Sequence, residues 1–195
     1  DVAERKLVRE FKDAHSDVVL GLEYSLDGTM IVSGSADKFV KVFNVATGEL
    51  VKSFEGHTSH VLDAGFRGNG IIITSVGADN AVKVWSLDTG EQVRTIAGYG
   101  KQVPSVQFVG RTSTIVSCGG DGTVRLHNTD DGKQVRAFGG ASDYMYAVAS
   151  TSDGNFVISG GEDGVLRVWK LADGAAVGTY APPPAPDAPN VQAAK

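Results

Sequence analysis

Residues 56–85 read GHTSHVLDAGFRGNGIIITSVGADNAVKVW. The stretch opens on a loop histidine, His57, and reaches a turn at Asn69-Gly70. It then runs through the apolar Ile71-Ile72-Ile73 to Ser75, turns again at Asp79, and closes on Val82-Lys83-Val84-Trp85. The last four residues alternate with period two in β-branched company, which marks a strand. Asn-Gly is a hairpin signal because both residues accept positive φ at little cost. A short apolar run that does not alternate, bounded by turns, reads as a strand buried on both faces.

Outward from this stretch the same pattern recurs every 42 residues. Asp37, Asp79, Asp121 and Asp163 stand in one column, with Ser33, Ser75, Ser117 and Ser159 four positions earlier. Six positions later come Phe43, Trp85, His127 and Trp169. Val40, Val82, Val124 and Leu166 keep register, as do Val42, Val84, Leu126 and Val168, and Gly48, Gly90, Gly132 and Gly174. Six aligned columns over four copies establish an internal repeat. Three internal turns per copy make four strands, hence one four-stranded antiparallel sheet, and no stretch carries the periodicity of a helix. A twisted sheet that is apolar on both faces needs cover on both. Radial repetition supplies it, so the expected fold is an all-β propeller with one blade per copy.

Gly56-His57, Ser75, Asp79 and Trp85 together resemble a complete WD repeat, with Trp85-Ser86 where that family usually has Trp-Asp. The resemblance runs from Leu7 to about Tyr180. It divides the chain into blades at 15–56, 57–98, 99–140 and 141–180, after an opening segment, 1–14. There Lys6-Leu7-Val8-Arg9-Glu10-Phe11 is similar to Glu49-Leu50-Val51-Lys52-Ser53-Phe54, so it is expected to be the outer strand of a preceding blade. Residues 181–195, rich in proline and alanine, are expected to form an extended linker or disordered tail, since proline lacks the ladder donor.

The resemblance also implies roles. In that family the Asp of the turn between second and third strands holds the loop His, the His reaches the Ser, and the Ser accepts from the Trp indole. The residues assigned to this network are His15, Ser33 and Asp37, then His57, Ser75, Asp79 and Trp85, then Ser117 and Asp121, then Ser159, Asp163 and Trp169. His, Ser and Asp are also the members of a hydrolase triad. Here, however, the set recurs with the blade, whereas an active site is singular, so no catalytic residue is assigned. The His column reads His15, His57, Tyr99, Ala141. Only the second blade carries all four members and is expected to be the most rigid.

The basic column Lys41, Lys83, Arg125 and Arg167 is expected to pack its stems on the sheet with its heads in water. Cys118 stands in a column with Gly34, Val76 and Gly160 and is expected to be packed core. No metal or cofactor is expected, because the four histidines are scattered over the copies. A net charge of −5 argues against a nucleic-acid partner, and no apolar run is long enough to span a membrane. Asp1-Val2-Ala3-Glu4-Arg5-Lys6 carries no signal-peptide pattern.

A protein-interaction scaffold that binds a peptide or protein on its loop face is the expected function. The candidate binding residues are Asp143, Tyr144, Met145, Tyr146, His60, Lys101 and Glu162. The tyrosines read either as interface anchors or as filling for the space left by the missing His near Ala141. The alternative is an accessory propeller in a larger bacterial multidomain protein, suggested by low divergence between copies and the Ala/Pro-rich end. Blades of this kind resemble those that close in rings of seven or eight. Four would form an open arc, closed by missing blades of the same polypeptide or by a second copy in a homodimer.

Overall fold

A computed structural model describes residues 2–182, and among them sixteen strands and no helix. The first blade is β1 (Val19–Tyr24), β2 (Met30–Ser35), β3 (Val40–Asn44) and β4 (Leu50–Phe54). The second is β5 (Val61–Phe66), β6 (Ile72–Gly77), β7 (Val82–Ser86) and β8 (Gln92–Ile96). The third is β9 (Ser105–Phe108), β10 (Thr114–Cys118), β11 (Val124–Asn128) and β12 (Gln134–Phe138). The fourth is β13 (Met145–Ser150), β14 (Phe156–Gly161), β15 (Leu166–Lys170) and β16 (Ala176–Tyr180). Each group is a separate antiparallel sheet whose strand order follows the chain.

Turn chemistry sets these hairpins. Gly28, Gly70 and Gly154 sit at φ 71–72°, the left-handed region that a side chain strains to enter. The turn after the network Asp needs the same conformation, and Lys38 (φ 76°) and Asn80 (φ 62°) adopt it where the last two copies have Gly122 and Gly164. The alternating β3, β7 and β11 then pair in register with the apolar β2, β6 and β10, for example Val84 opposite Thr74 and Val116 opposite Leu126.

Three apolar cores lie between successive blades. The first packs Val32, Val40, Val42 and Phe54 of blade one against Val61, Ala64, Ile73 and Trp85 of blade two. The second joins Val82, Val84 and Ile96 to Val103, Val106 and Ile115. The third joins Val124, Leu126 and Phe138 to Met145, Val148, Val157 and Trp169. Each fully buried side chain of this size contributes about 1.5–3 kcal/mol, so the inter-blade seams hold most of the apolar stabilisation.

The two end blades lack a neighbour on one side, and the repeat makes this measurable. Leu22 is 67% exposed, while its counterparts Ala64, Val106 and Val148 are at most 7% exposed. Leu166 is 48% exposed where Val40, Val82 and Val124 are fully buried. Tyr180 is 62% exposed where Phe54, Ile96 and Phe138 are buried. The four blades therefore leave one apolar face open at each end.

Residues 6–11, expected as an outer strand of a preceding blade, form no strand among the described residues: strand pairing needs a ladder partner, and none of the described strands pairs with them. Their side chains nevertheless sit as an outer strand's do. Phe11 packs edge-on against Phe43 with ring centroids 5.5 Å apart, as Phe54 packs on Trp85 (5.3 Å) and Phe138 on Trp169 (5.6 Å). Arg9 donates to the carbonyls of Ala46 and Thr47, as Arg136 donates to those of Ala172 and Asp173. Of the expected tail, everything after Pro182 lies outside the described residues.

Candidate functional site on the loop face

Because each sheet is antiparallel, the loop entering its first strand and the turn between its second and third strands meet at one end. His57 comes from the loop before β5, Asp79 from the β6–β7 turn, Ser75 from β6 and Trp85 from β7. They join in a line: Trp85 Nε1 donates to Ser75 Oγ (2.8 Å), Ser75 Oγ lies 2.8 Å from His57 Nε2, and His57 Nδ1 lies 2.9 Å from Asp79 Oδ2. An indole can only donate. One consistent order therefore has Ser75 passing its own proton to Nε2, and Nδ1–H donating to the carboxylate. Burial alone would raise the Asp79 carboxyl. The hydrogen bond and charge of His57, with the Thr58 N–H, outweigh it and hold the group below its ordinary range.

The first blade repeats the line without its indole. His15 bridges Asp37 (2.8 Å) and Ser33 (2.7 Å), and with Phe43 in the aromatic column Ser33 Oγ also lies 3.3 Å from the Lys41 carbonyl. In the third blade Tyr99 takes the place of His and bonds Ser117 Oγ at 2.5 Å, but its single hydroxyl cannot reach on to Asp121. Asp121 instead accepts from Gly100 N, Thr123 and Arg125. In the fourth blade the expected network is absent. Ala141 offers no polar atom, Ser159 Oγ is buried without a partner, and Asp163 pairs with Arg167 at 2.7 Å. His127, in the Trp column, is likewise buried with Nδ1 unpartnered. Burial, with help from the Arg125 charge, pushes its pKa down to about 4.

The basic column also needs correction. Lys83 and Arg167 are only 9% exposed, and their heads are bonded to the protein rather than free in water. Close packing of the sheet face leads each long stem along it to polar partners at the loops. Lys41 Nζ reaches the Ala14 carbonyl (2.6 Å), Lys83 Nζ reaches Gln92 and Thr95, and Arg125 and Arg167 reach Asp121 and Asp163. Arg125 also stacks over the Tyr99 ring at 4.3 Å. Cys118 is buried with its thiol pushed up to about 12, an unreactive core sulfur.

Among the candidate binding residues, Met145 is fully buried. It stands in the column Val19, Val61, Val103, Met145, and that column was the available signal for a core position. The others meet on the loop face. His60, Lys101, Asp143, Tyr146 and Glu162 are exposed, and Tyr144 is half-buried. Tyr144 does not fill the space at Ala141. It leans toward blade three, over Gly120, where an added Cβ would stand 2.4 Å from its ring, and its hydroxyl accepts from Gln102. Lys101, Gly120, Asp121, Asp143 and Tyr144 line a shallow polar depression there.

Sequence reasoning missed a set of clasps on the innermost strands. Glu23 Oε2 on β1 accepts from Phe66 N (2.8 Å), Asp63 Oδ2 on β5 from Val106 N (3.0 Å), and Gln107 Oε1 on β9 from Ser150 N (2.7 Å). Each ties one blade to the next. Burial raises both carboxyls, Glu23 to about 7.

Models of known families match the chain four times as the WD domain, G-beta repeat, at residues 5–44, 48–86, 90–128 and 132–170. Each later match starts at the outer strand of one blade and ends in the third strand of the next, and the first match puts residues 6–11 at that outer position. The WD repeat domain-containing protein 83 homolog of Dictyostelium discoideum is 36% identical over 47 residues, which are 24% of this chain and 14% of that protein. The chain thus aligns with a small part of that relative's length. Such repeats are in general non-catalytic scaffolds for protein interaction. With most of its residues inside the four matches and a four-stranded blade at each, the chain belongs to the WD40 repeat family.

Proposed function

We propose that this arc is a non-catalytic scaffold which binds a peptide or protein on the face that carries the His loops and Asp turns. The observation that carries the reading is where the copies differ. On that face the columns read Asp17, Ser59, Lys101, Asp143, then Val18, His60, Gln102, Tyr144, then Ala36, Ala78, Gly120, Glu162, while core columns behind them keep their residue types, as in Ser33, Ser75, Ser117, Ser159 and Val40, Val82, Val124, Leu166. A rigid sheet with variable side chains at one rim suits recognition better than chemistry. The His–Ser–Asp lines support that rim from behind. Ser75 is fully buried, so it meets no substrate, and a fluorophosphonate should leave it unlabelled.

The test is a random peptide library panned against the immobilised chain. Selected peptides should weaken at least tenfold with Lys101→Ala plus Tyr146→Ala and keep their affinity with Arg111→Ala, at the opposite mouth. Peptides that follow Arg111 and ignore the loop face would overturn the reading.

A second reading concerns what surrounds the arc. The open end faces and the outer-strand placement of Phe11 and Arg9 favour further blades, in a larger polypeptide with a seven- or eight-bladed ring, over a homodimer. Phe11 already occupies the slot on Phe43 that Tyr180 of a second copy would need. The matched relative is from Dictyostelium, so a bacterial parent rests on repeat similarity and the Ala/Pro-rich stretch alone.

A further inference from the structure

On the fourth blade two aromatic rings and two carboxylates come together at the loop face. Tyr144 is held on one side by Gly120 and at its hydroxyl by Gln102. Tyr146 lies against it, ring centroids 4.7 Å apart and planes tilted 37°. Tyr146 is 56% exposed, so one face of the pair is backed and the other open to solvent. Its hydroxyl lies 3.5 Å from Glu162 Oε2, and the Glu162 backbone N–H is fixed to the Tyr144 carbonyl at 2.8 Å. Asp143 is exposed at the same rim, and its carboxylate caps the Tyr144 N–H. Arg167, the basic side chain of this blade nearest in sequence, is committed to Asp163 at 2.7 Å. The other copies place Leu20, Leu62 and Pro104 where Tyr146 stands, and Ala36, Ala78 and Gly120 where Glu162 stands, so the combination is peculiar to this blade. Leu62 and Pro104 remain half-buried even with a following blade packed beside them, so a further blade leaves the Tyr146 position partly open.

An exposed tyrosine face attracts a cation through the ring quadrupole, and a carboxylate at its edge adds charge attraction and hydrogen-bond acceptors. We infer that Tyr146, backed by Tyr144 and flanked by Glu162 and Asp143, is the seat for a lysine or arginine side chain of the partner. The negative field that Glu162 and Asp143 place on the Tyr146 phenol, raising its pKa, agrees with this geometry. The inference rests on the loop-face reading and narrows the partner to a basic segment.

The probe is a synthetic peptide of alternating lysine and glycine, titrated calorimetrically at low salt beside its glutamate counterpart. The lysine peptide should bind and the glutamate peptide should not. Tyr146→Ala and Glu162→Gln should each weaken binding at least tenfold. Tyr146→Phe, which keeps the ring, should stay within threefold. Glu91→Gln removes one exposed charge on another blade and should change nothing, which separates a seat from general attraction to an acidic chain. Equal loss in Glu91→Gln, or none in Tyr146→Ala and Glu162→Gln, overturns the inference. Acidic or apolar library peptides that depend on Lys101 and Tyr146 would also overturn it while leaving the loop-face reading intact.

Discussion

Asp79 shows most directly what a single side chain does here. Its side chain is 7% exposed, accepts from His57 Nδ1 and Thr58 N, and ends the only line of four among the described residues that runs unbroken to an indole. Asp79→Ala would strand His57 Nδ1 in the interior, and the expected loss is roughly 2–4 kcal/mol by denaturant unfolding. A change within about 0.5 kcal/mol would remove the line from the account. His127 is the opposite case, with its Nδ1 buried and unpartnered. Its pKa falls from 6.5 to about 4 on folding because burial opposes its charge. The unfolded chain therefore takes up the proton first, and stability should fall as pH drops from about 6.5 to about 4, by up to roughly 3 kcal/mol. His127→Phe, the residue type that Phe43 supplies in the same column, should flatten that slope. An unchanged acid limb in the variant would mean other groups set it.

At the scale of the strands, the clasp from β1 to β5 makes a second pH-dependent contribution of the opposite sense. Glu23 titrates near 4.5 unfolded and near 7 folded, so its contribution is full below about 4.5 and is lost as pH rises through 7. Glu23→Gln keeps an acceptor for Phe66 N and removes the charge, as Gln107 does for Ser150 in the third blade. At pH 8 the variant should be more stable by roughly 1–2 kcal/mol, discounted for partial exposure, with the gap closing toward pH 4.5. Thermal melts at the two pH values decide it, and a variant less stable at pH 8 would show that the charged form is the better clasp. The strands themselves were legible because most hairpins announce themselves through Gly at positive φ and each third strand alternates. The clasps were not. Glu23, Gly65, Gln107 and Ala149 share a column but no residue type, and the partner is a backbone N–H one blade away, which has no letter in the sequence. The low exposure of Lys83 and Arg167 was hidden for a related reason: alternation distinguishes two faces of a strand but does not say how closely the face bearing the base is covered.

For the molecule as a whole, the repeat made the blade count and the three seams readable, and the decay of the His and aromatic columns showed where the polar line would thin. It did not reveal that Asp121 and Asp163, released from the His, would turn to Arg125 and Arg167, since that depends on how far a guanidinium reaches along the seam. The seams also define the arc. Leu22 at one end and Leu166 and Tyr180 at the other belong to columns that are buried wherever a neighbouring blade exists. Apolar sheet faces of that extent need cover, and the further blade proposed above would supply it at the first end, where Phe11 packs on Phe43. Light scattering of the isolated chain across a concentration series tests this most directly. The mass should climb with concentration without a stable dimer plateau, and Leu166→Lys on the open face of blade four should suppress the climb. A mass fixed at one chain at every concentration would contradict it.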